Sequence, residues 1–282
     1  METTDCVRVA VNVRPLIYSE VLLGCTDCVN FIPGEPQVQI RRHSFTFDYV
    51  YGSKASTSST IYNDCVAPLV DVVLHGYNAT VLAYGQTGSG KTYTMGSNYT
   101  GDESSCGIIP QVMNSIFSKI DEKKEATEFL IRVSFIEIFK EQVFDLLAPS
   151  RNPIQIRETA NGGITLAGVT EPEVRTEQEM ASFLSRGSLA RATASTNMNS
   201  QSSRSHAIFT ISMEQKRTGD DILSAKLHLV DLAASEGAKK TGADGLRLKE
   251  GIHINRGLLA LGNVISALGD EKKRKEGGHV PY

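Results

Sequence analysis

The order of hydrophobic and polar positions along the chain predicts strands that alternate with helices. Alternating or β-branched apolar runs predict strands at residues 7–13, 45–47, 49–51, 78–84, 129–139, 207–214 and 226–231. Apolar residues at helical spacing predict helices at residues 108–122 and 176–191, and a further helix that begins at Ser58 or Ser59. Such alternation favours a largely parallel central sheet with helices on both faces, which is an α/β fold.

The helix that begins near Ser58 leads into the predicted strand at residues 78–84. Its apolar residues share one stripe, which predicts a buried face. The stripe consists of Ile61, Cys65, Leu69, Val72 and Val73. Residues 97–105 and 149–163 follow neither pattern, and we predict that they are loops.

The segment directly after the strand at residues 78–84 carries the clearest chemical signal. It fits the pattern G-x-x-x-x-G-K-[ST] and consists of Gly85, Gln86, Thr87, Gly88, Ser89, Gly90, Lys91 and Thr92. Because glycine has no Cβ, consecutive backbone N–H groups can turn toward a polyphosphate. Lys91 can reach the terminal phosphates, and the Thr92 hydroxyl can ligate Mg²⁺. The strand before this loop and the helix-compatible residues after it argue against the alternative of a glycine-rich surface turn.

Length and composition are those of an ordinary soluble protein. We expect the 282 residues to form a single domain over residues 1–282, and the net charge of −3 gives no global sign of nucleic-acid binding. No basic signal region begins the chain, and no apolar run approaches the roughly 20 residues that cross a bilayer. We therefore expect a cytoplasmic protein with neither nucleic-acid nor membrane partners. The five scattered cysteines suit reduced thiols better than disulfides.

Two further segments add polar groups suited to a nucleotide enzyme. The strand at residues 226–231 ends in Asp231, where such enzymes place a carboxylate that meets Mg²⁺ through water. On its own this signal is weak, because any strand can end in aspartate. The run at residues 199–206 is rich in hydroxyls that could meet a phosphate or metal-bound water. Its alternative interpretation is a solvated loop.

Together, residues 85–92, 199–206 and 231–236 resemble the phosphate loop, first switch and second switch of the kinesin motor domain. The resemblance runs from about Val7 to Tyr282, and residues 249–268 are most similar to the fourth, chromokinesin-like class. It implies a P-loop NTPase fold of kinesin type, with ATP or ADP and Mg²⁺ as ligands and a microtubule-stimulated ATPase activity. The chain has no N-K-x-D element of the kind that guanine-specific relatives use, which favours ATP.

The resemblance also implies roles for residues around the base and the phosphates. Arg14, Pro15 and Tyr93 would pack on the adenine ring. Lys91 and Thr92 would hold the phosphates and Mg²⁺. The arginine that many kinesins place two residues before Arg14 is an asparagine here, which weakens only the adenine-side detail.

For the two switches, the resemblance implies contacts to the γ-phosphate and the metal. Ser202 and Ser203 would contact the γ-phosphate, with Ser203 also at Mg²⁺. Asp231 would meet Mg²⁺ through water. Arg204 and Glu236 would form the ion pair that closes the switches and orders the attacking water. This division of roles suits phosphoryl transfer, which depends mostly on positioning and charge neutralisation.

An acidic track such as a microtubule requires a local basic surface. Residues 239–282 carry nine basic and five acidic residues, a net charge of +4, which leaves −7 for the rest. The resemblance implies that a helix after the second switch binds the track, with a buried stripe of Ile254, Leu258, Leu261, Ile265 and Leu268. Lys272, Lys273, Arg274 and Lys275 follow it. A solvated loop and a nuclear address are the alternatives for these four residues. Dimerisation would require a stalk outside this chain, and a microtubule motor would associate with the cytoskeleton.

The second switch departs from the family pattern D-L-A-G-S-E-R. Ala234 and Gly237 stand where that pattern has glycine and arginine. Family enzymes use the N–H of that glycine to sense the γ-phosphate. Alanine forbids backbone conformations that glycine adopts cheaply. An alternative function is therefore a nucleotide- and microtubule-binding module with impaired or absent turnover.

The C-terminus also departs from the family. Residues 279–282 match the opening of a family motif that continues into a helix, a central strand and the neck linker. We expect a sheet incomplete at the C-terminus, with unpaired ladder groups and poor solubility. A P-loop kinase or GTPase is a third alternative. It would need an acceptor site or a guanine element, and neither is present in the sequence.

Overall fold

The structure is a computed structural model that describes residues 7–32, 34–52, 58–100, 107–159, 163–196, 203–217, 222–236, 246–270 and 279–281. The chain divides into two compact units, one of residues 1–61 with 256–282 and one of residues 62–255. The single domain expected over residues 1–282 stays a prediction. No helix in the part of the chain that the structure describes is long and apolar enough to cross a bilayer.

The smaller unit contains short strands and helices. In chain order they are β1 (Ala10–Asn12), α1 (Tyr18–Leu22), β2 (Asn30–Phe31), β3 (Gln37–Ile40), β4 (His43–Thr46), β5 (Tyr49–Tyr51) and α2 (Ser58–Ile61). β1 pairs in parallel with β5, and β2, β3 and β4 form an antiparallel sheet. The strand predicted at residues 7–13 is therefore present as β1, which is shorter than predicted. Val38 of β3 and Tyr51 of β5 are buried.

The larger unit contains a large sheet and the helices that pack on it. Its elements are a π-helical segment (Tyr62–Val66), α3 (Ala67–Leu74), β6 (Ala79–Ala83), α4 (Lys91–Met95), α5 (Ile108–Lys123), β7 (Thr127–Phe139), β8 (Gln142–Asp145), β9 (Pro153–Glu158), β10 (Ile164–Ala167), β11 (Glu173–Val174), α6 (Glu177–Thr196), β12 (His206–Arg217) and β13 (Ile222–Asp231). A final helix, α7 (Leu246–Gly269), is divided between the units at Arg256. The helices predicted at residues 108–122 and 176–191 are confirmed, and the Thr176 hydroxyl caps α6 by accepting the N–H of Glu179 at 3.1 Å.

The central sheet has the strand order β10-β9-β8-β7-β12-β13-β6, with β11 also on β7. The sheet is mixed, and its described strands pair in parallel only between β6 and β13, so most of the sheet does not show the largely parallel arrangement that was predicted. β6 runs parallel to β13, whereas β12 pairs antiparallel with both β13 and β7. β12 and β13 follow each other in the chain and lie side by side as antiparallel neighbours. β6 lies at the edge of the described sheet.

The helix predicted from Ser58 is interrupted by the π-helical segment, which changes its buried face. One wide turn rotates the residues that follow it relative to a continuous α-helix. Val70, Val73 and Leu74 are buried, while Val72 is 38% exposed. The predicted stripe is therefore correct at Ile61 and Val73 but wrong at Val72.

The loop predicted at residues 149–163 contains a strand instead. Residues 153–158 form β9, which pairs antiparallel with β8 and β10. Most of β9 is exposed, with Ile156 at 58%, so no buried alternation marks it in the sequence. The core lies elsewhere on the sheet, where Phe135 of β7 meets Phe209 of β12 edge to face with ring centroids 5.5 Å apart.

Candidate nucleotide-binding site

Residues 85–92 connect β6 to α4 and form a tight loop that depends on glycine. Gly88 and Gly90 have φ values of +77° and +98°, which side chains rarely tolerate. Gly90 is the N-cap of α4. A Cβ on Gly85 would lie 2.6 Å from the Ser89 hydroxyl oxygen. The predicted strand, loop and helix order is confirmed, and the binding of phosphate by this loop stays a prediction.

The lysine of this loop is half-buried and folds back on the loop. Lys91 Nζ donates to the carbonyl oxygen of Gln86 at 2.9 Å. Burial lowers the pKa of the Lys91 ammonium, although the carboxylates of Asp231 and Glu236 act in the opposite direction. A cationic donor is thus held beside the glycine-rich turn.

Asp231 lies at the end of β13, next to Ala83 of β6 in the parallel register. Its Oδ2 accepts three hydrogen bonds, from Thr92 Oγ1 at 2.8 Å, Ser97 Oγ at 2.9 Å and Arg191 Nη1 at 2.8 Å. Its Oδ1 is buried and has no hydrogen-bond partner among the described residues. A buried acceptor beside the loop threonine fits a Mg²⁺ ion that is met through water. The residues present therefore suit a metal-bound nucleotide.

The arginine that holds Asp231 was not predicted from the sequence. Arg191 lies on α6 with a side chain 5% exposed, and its Nε is 3.9 Å from Glu137 Oε1. Its Nη2 donates to the carbonyl oxygen of Ser205 at 3.2 Å. A signal was present, because Arg191 continues the helical spacing of the buried residues Met180 and Leu184.

The second switch segment, residues 231–236, follows the phosphate loop closely. Ser235 N–H donates to the carbonyl oxygen of Gly85 at 3.1 Å. The Glu236 carboxylate accepts the Thr87 N–H at 3.0 Å and also the Thr87 hydroxyl. Burial alone would raise the pKa of Glu236, but these hydrogen bonds and the charge of Lys91 outweigh it and lower the pKa. Glu236 therefore stays ionised on the phosphate loop.

The first switch contacts the second switch through backbone groups. Ala234 N–H donates to the carbonyl oxygen of Ser203 at 2.8 Å, and Ala233 N–H donates to His206 Nδ1 at 3.1 Å. Burial, together with the charge of Arg191, lowers the pKa of His206, which keeps this nitrogen an acceptor.

Two assignments in the first switch stay predictions. Ser202 lies outside the described residues. Arg204 is half-buried, and its ion pair with Glu236 and the Mg²⁺ contact of the Ser203 hydroxyl are untested.

Of the three residues assigned to adenine, Arg14 and Pro15 lie in the smaller unit and Tyr93 lies in the larger one. Arg14 belongs to the smaller unit, where it forms an ion pair with Glu20 at 2.6 Å. This hydrogen bond lowers the pKa of Glu20 to about 2. Pro15 is exposed, and Tyr93 of the larger unit is 80% exposed. Their contact with adenine stays a prediction.

The helix predicted after the second switch is present as α7, but the residues of its predicted buried stripe are half-buried rather than buried, and its binding to a track stays a prediction. The helix connects to the switch through Asn255, whose Nδ2 donates to the carbonyl oxygen of Glu236 at 3.3 Å. The predicted basic residues that flank the helix lie outside the described residues. They are Lys239, Lys240, Lys272, Lys273, Arg274 and Lys275.

Known proteins resemble this chain in both sequence and fold. The kinesin motor domain family matches residues 24–282. The chain is 67% identical to kinesin-like protein KIN-4C of Arabidopsis thaliana and 54% identical to chromosome-associated kinesin KIF4A of Homo sapiens. These alignments cover 100% and 98% of the chain but only 24% and 23% of the relatives. The chain thus spans about a quarter of the length of these relatives.

A solved structure agrees with these matches. It is described as a fast kinesin, with implications for ATPase mechanism and interactions with microtubules. Its TM-score is 0.87 at 40% identity, over 98% of this chain and 78% of that one. The phosphate loop, both switch segments and these similarities lead to one conclusion: the chain belongs to the kinesin motor domain family.

Proposed function

We propose that this chain is an ATP-dependent microtubule motor domain that binds and hydrolyses ATP. The observation that supports this most directly is the contact between the phosphate loop and the second switch. Thr92 donates to Asp231, and Thr87 donates to Glu236, so both ends of residues 231–236 touch the loop. A phosphoryl group on this loop would therefore act on the switch directly.

We assign different residues of the site to the different requirements of phosphoryl transfer. Bound Mg²⁺ supplies charge neutralisation on the phosphates. Lys91 and the loop N–H groups would bind and orient the phosphates, while the hydroxyls of Thr92 and Ser203 would hold the metal and Asp231 would meet it through water. Arg191 orients the Asp231 carboxylate through its 2.8 Å contact.

Glu236 provides a way to couple nucleotide to conformation. Its carboxylate accepts the Thr87 N–H, which is one of the groups that a phosphate would also engage. The Glu236 carboxylate and a bound phosphate would compete for the Thr87 N–H, so nucleotide binding favours displacement of Glu236. Because Asn255 of α7 binds the backbone of Glu236, the displacement reaches the proposed track helix.

The proposed partner of α7 is the microtubule, with the basic residues of 239–282 facing its acidic surface. We infer a cytoplasmic, cytoskeletal location on the same basis. The similar fast kinesin is described by its interactions with microtubules, which supports this assignment.

Steady-state ATP turnover, measured with and without microtubules, tests the proposal. We expect slow turnover alone, acceleration on microtubules, and cosedimentation that depends on the nucleotide and weakens with salt. GTP in place of ATP is the matched control. Turnover that microtubules leave unchanged, with no cosedimentation in any nucleotide state, contradicts the motor assignment.

A second candidate function rests on Ala234. We infer that a nucleotide- and microtubule-binding module with impaired turnover is the alternative. Ala234 N–H donates to Ser203 instead of facing the loop, and the residue is only 5% exposed. Its Cβ restricts the backbone change that would redirect this N–H.

The variant Ala234→Gly separates the two candidates. If closure is impaired, microtubule-stimulated phosphate release should rise several-fold while ADP affinity changes little. Rapid release in the unchanged chain that Ala234→Gly leaves the same would refute the impairment. Ala233→Gly, one residue earlier, is the control for added backbone freedom.

A further inference from the structure

A second arginine, from the surface, reaches the buried carboxylate behind the nucleotide site. Glu137 lies in β7 with a side chain 0% exposed. Its Oε2 forms an ion pair with Arg151 Nη2, while Arg191 Nε lies 3.9 Å from its Oε1. Arg191 Nη1 in turn lies 2.8 Å from Asp231 Oδ2. Arg151, Glu137, Arg191 and Asp231 thus form a row of alternating charges, which we name the charge row.

Arg151 is the member of the charge row that solvent reaches. Its side chain is 34% exposed, against 5%, 0% and 1% for Arg191, Glu137 and Asp231. It lies in the turn between β8 and β9. Its guanidinium carbon lies 5.0 Å from the ring centroid of Phe144, so stacking and the ion pair together fix its orientation.

We propose that Arg151 is a positioning residue for Asp231, acting through Glu137 and Arg191. This inference rests on the proposed nucleotide function, because Asp231 is the carboxylate assigned to Mg²⁺. Arg151 and Arg191 both lie against Glu137 in the charge row. Loss of Arg151 would remove one of these positive charges from beside a buried carboxylate.

The two contacts of Arg191 show which way the balance would move. Arg191 is close to Asp231, at 2.8 Å, and more distant from Glu137, at 3.9 Å. Loss of Arg151 increases the net electrostatic attraction of Arg191 toward Glu137, because the positive charge beside Oε2 that partly neutralises Glu137 is removed. Arg191 would then shift toward Glu137 and hold Asp231 less firmly. The expected result is weaker Mg²⁺-dependent retention of nucleotide, although the described contacts of Arg151 include no residue of the phosphate loop.

Retention of a fluorescent ADP during a Mg²⁺ titration tests this inference on the purified chain. Arg151→Gln should raise the Mg²⁺ concentration for half-maximal retention by about 3- to 10-fold. Arg151→Lys keeps the charge and should recover most of this loss. Arg157→Gln removes the same charge from an exposed position on β9 and serves as the matched control, with no shift expected. Thermal unfolding of each variant, measured in parallel, reports whether the fold is retained.

A double-mutant cycle locates the effect in the charge row. Glu137→Gln removes the carboxylate through which Arg151 is proposed to act, so Arg151→Gln should add no further shift in that background. Equal Mg²⁺ requirements for the unchanged chain and Arg151→Gln overturn the inference, as does an equal shift in Arg157→Gln. If the unchanged chain retains no ADP at any Mg²⁺ concentration, both the inference and the proposed nucleotide function fail. If the unchanged chain retains ADP and Arg151→Gln has no effect, only the inference fails.

Discussion

The phosphate loop and the charge row serve one site but are built in different ways. Residues 85–92 are consecutive, and the loop depends on backbone conformation at Gly88 and Gly90. The charge row takes its four side chains from β7, the β8–β9 turn, α6 and β13, and three of them are almost fully buried. A local loop can lose its function while the protein stays folded. A buried network contributes to folding and function together, so variants of the two regions should behave differently.

The largest effect is expected from Arg191→Met, which breaks the charge row at its centre. Two buried carboxylates, Glu137 and Asp231, would lose their shared cation, and breaking a buried pair costs about 3 to 5 kcal/mol. Urea unfolding of the nucleotide-free chain measures this loss. Arg175→Met is the control, because that side chain is 79% exposed and should change stability by less than about 0.5 kcal/mol. Equal stability of the two variants would show that the row contributes nothing to folding.

The next largest effect is expected from Lys91→Ala in the phosphate loop. Loss of this partly buried cation should weaken ADP binding by about 100-fold, since a charged partner of the phosphates is removed. Stability should change little, because Lys91 donates only to a backbone carbonyl in its described contact. Calorimetric titration with ADP measures the affinity, and Lys123→Ala at the end of α5 is the control. A loss of stability as large as that of Arg191→Met would remove the distinction between the two regions.

The same difference explains which parts of the site could be predicted from sequence. The phosphate loop is a spacing of consecutive residues after an apolar strand, and its strand and helix follow from local patterns. Glu137 and Arg191 are charged residues in otherwise apolar faces, where periodicity predicts aliphatic side chains. Their pairing depends on the packing of α6 against β7, which no local pattern contains.

The fold could be predicted from the sequence to about the same extent as the site. Strands β7, β12 and β13 and helices α5 and α6 follow from apolar periodicity and a Thr176 cap. Strand β9 was missed because its residues are mostly exposed, so it lacks a buried face. The π-helical segment was missed because it keeps a helical composition while it rotates the residues that follow.

A smaller effect is expected from Gly187→Ala, which tests how α6 is held against β7. A Cβ at this position would lie 2.2 Å from Phe135 Cδ1, and Phe135 is fully buried. The helix must shift or the ring must move, at a cost of about 1 to 3 kcal/mol. Because Arg191 lies one turn further along α6, the Mg²⁺ requirement for ADP retention should rise as well.

The control for this change is Gly262→Ala on α7. Apart from its chain neighbours and the backbone of the helix itself, no atom of the described residues would lie within 4 Å of the added Cβ, so alanine should be neutral or stabilise the helix by up to about 1 kcal/mol. Thermal unfolding compares the two variants. Equal melting temperatures would mean that the close approach of α6 to Phe135 has no energetic consequence.

The smallest effect is expected from Thr87→Val, which removes one of two donors that Thr87 offers to Glu236. The pKa of Glu236 is lowered in the folded chain, so the contact stabilises the fold above the ordinary carboxyl pKa and is lost as pH falls below it. We expect a loss of about 0.5 to 1.5 kcal/mol near neutral pH, since one hydroxyl donor is removed and the N–H remains. Urea unfolding should show this difference shrinking as the pH is lowered into the acid range. Thr80→Val, at an exposed position on β6, should show no such trend.

A difference that stays constant with pH would mean that the hydroxyl does not donate to an ionised carboxylate. In that case Glu236 could not act as the anion that a phosphate displaces, and the coupling proposed between the phosphate loop and the second switch would have to run through Ser235 and the backbone of Gly85 instead.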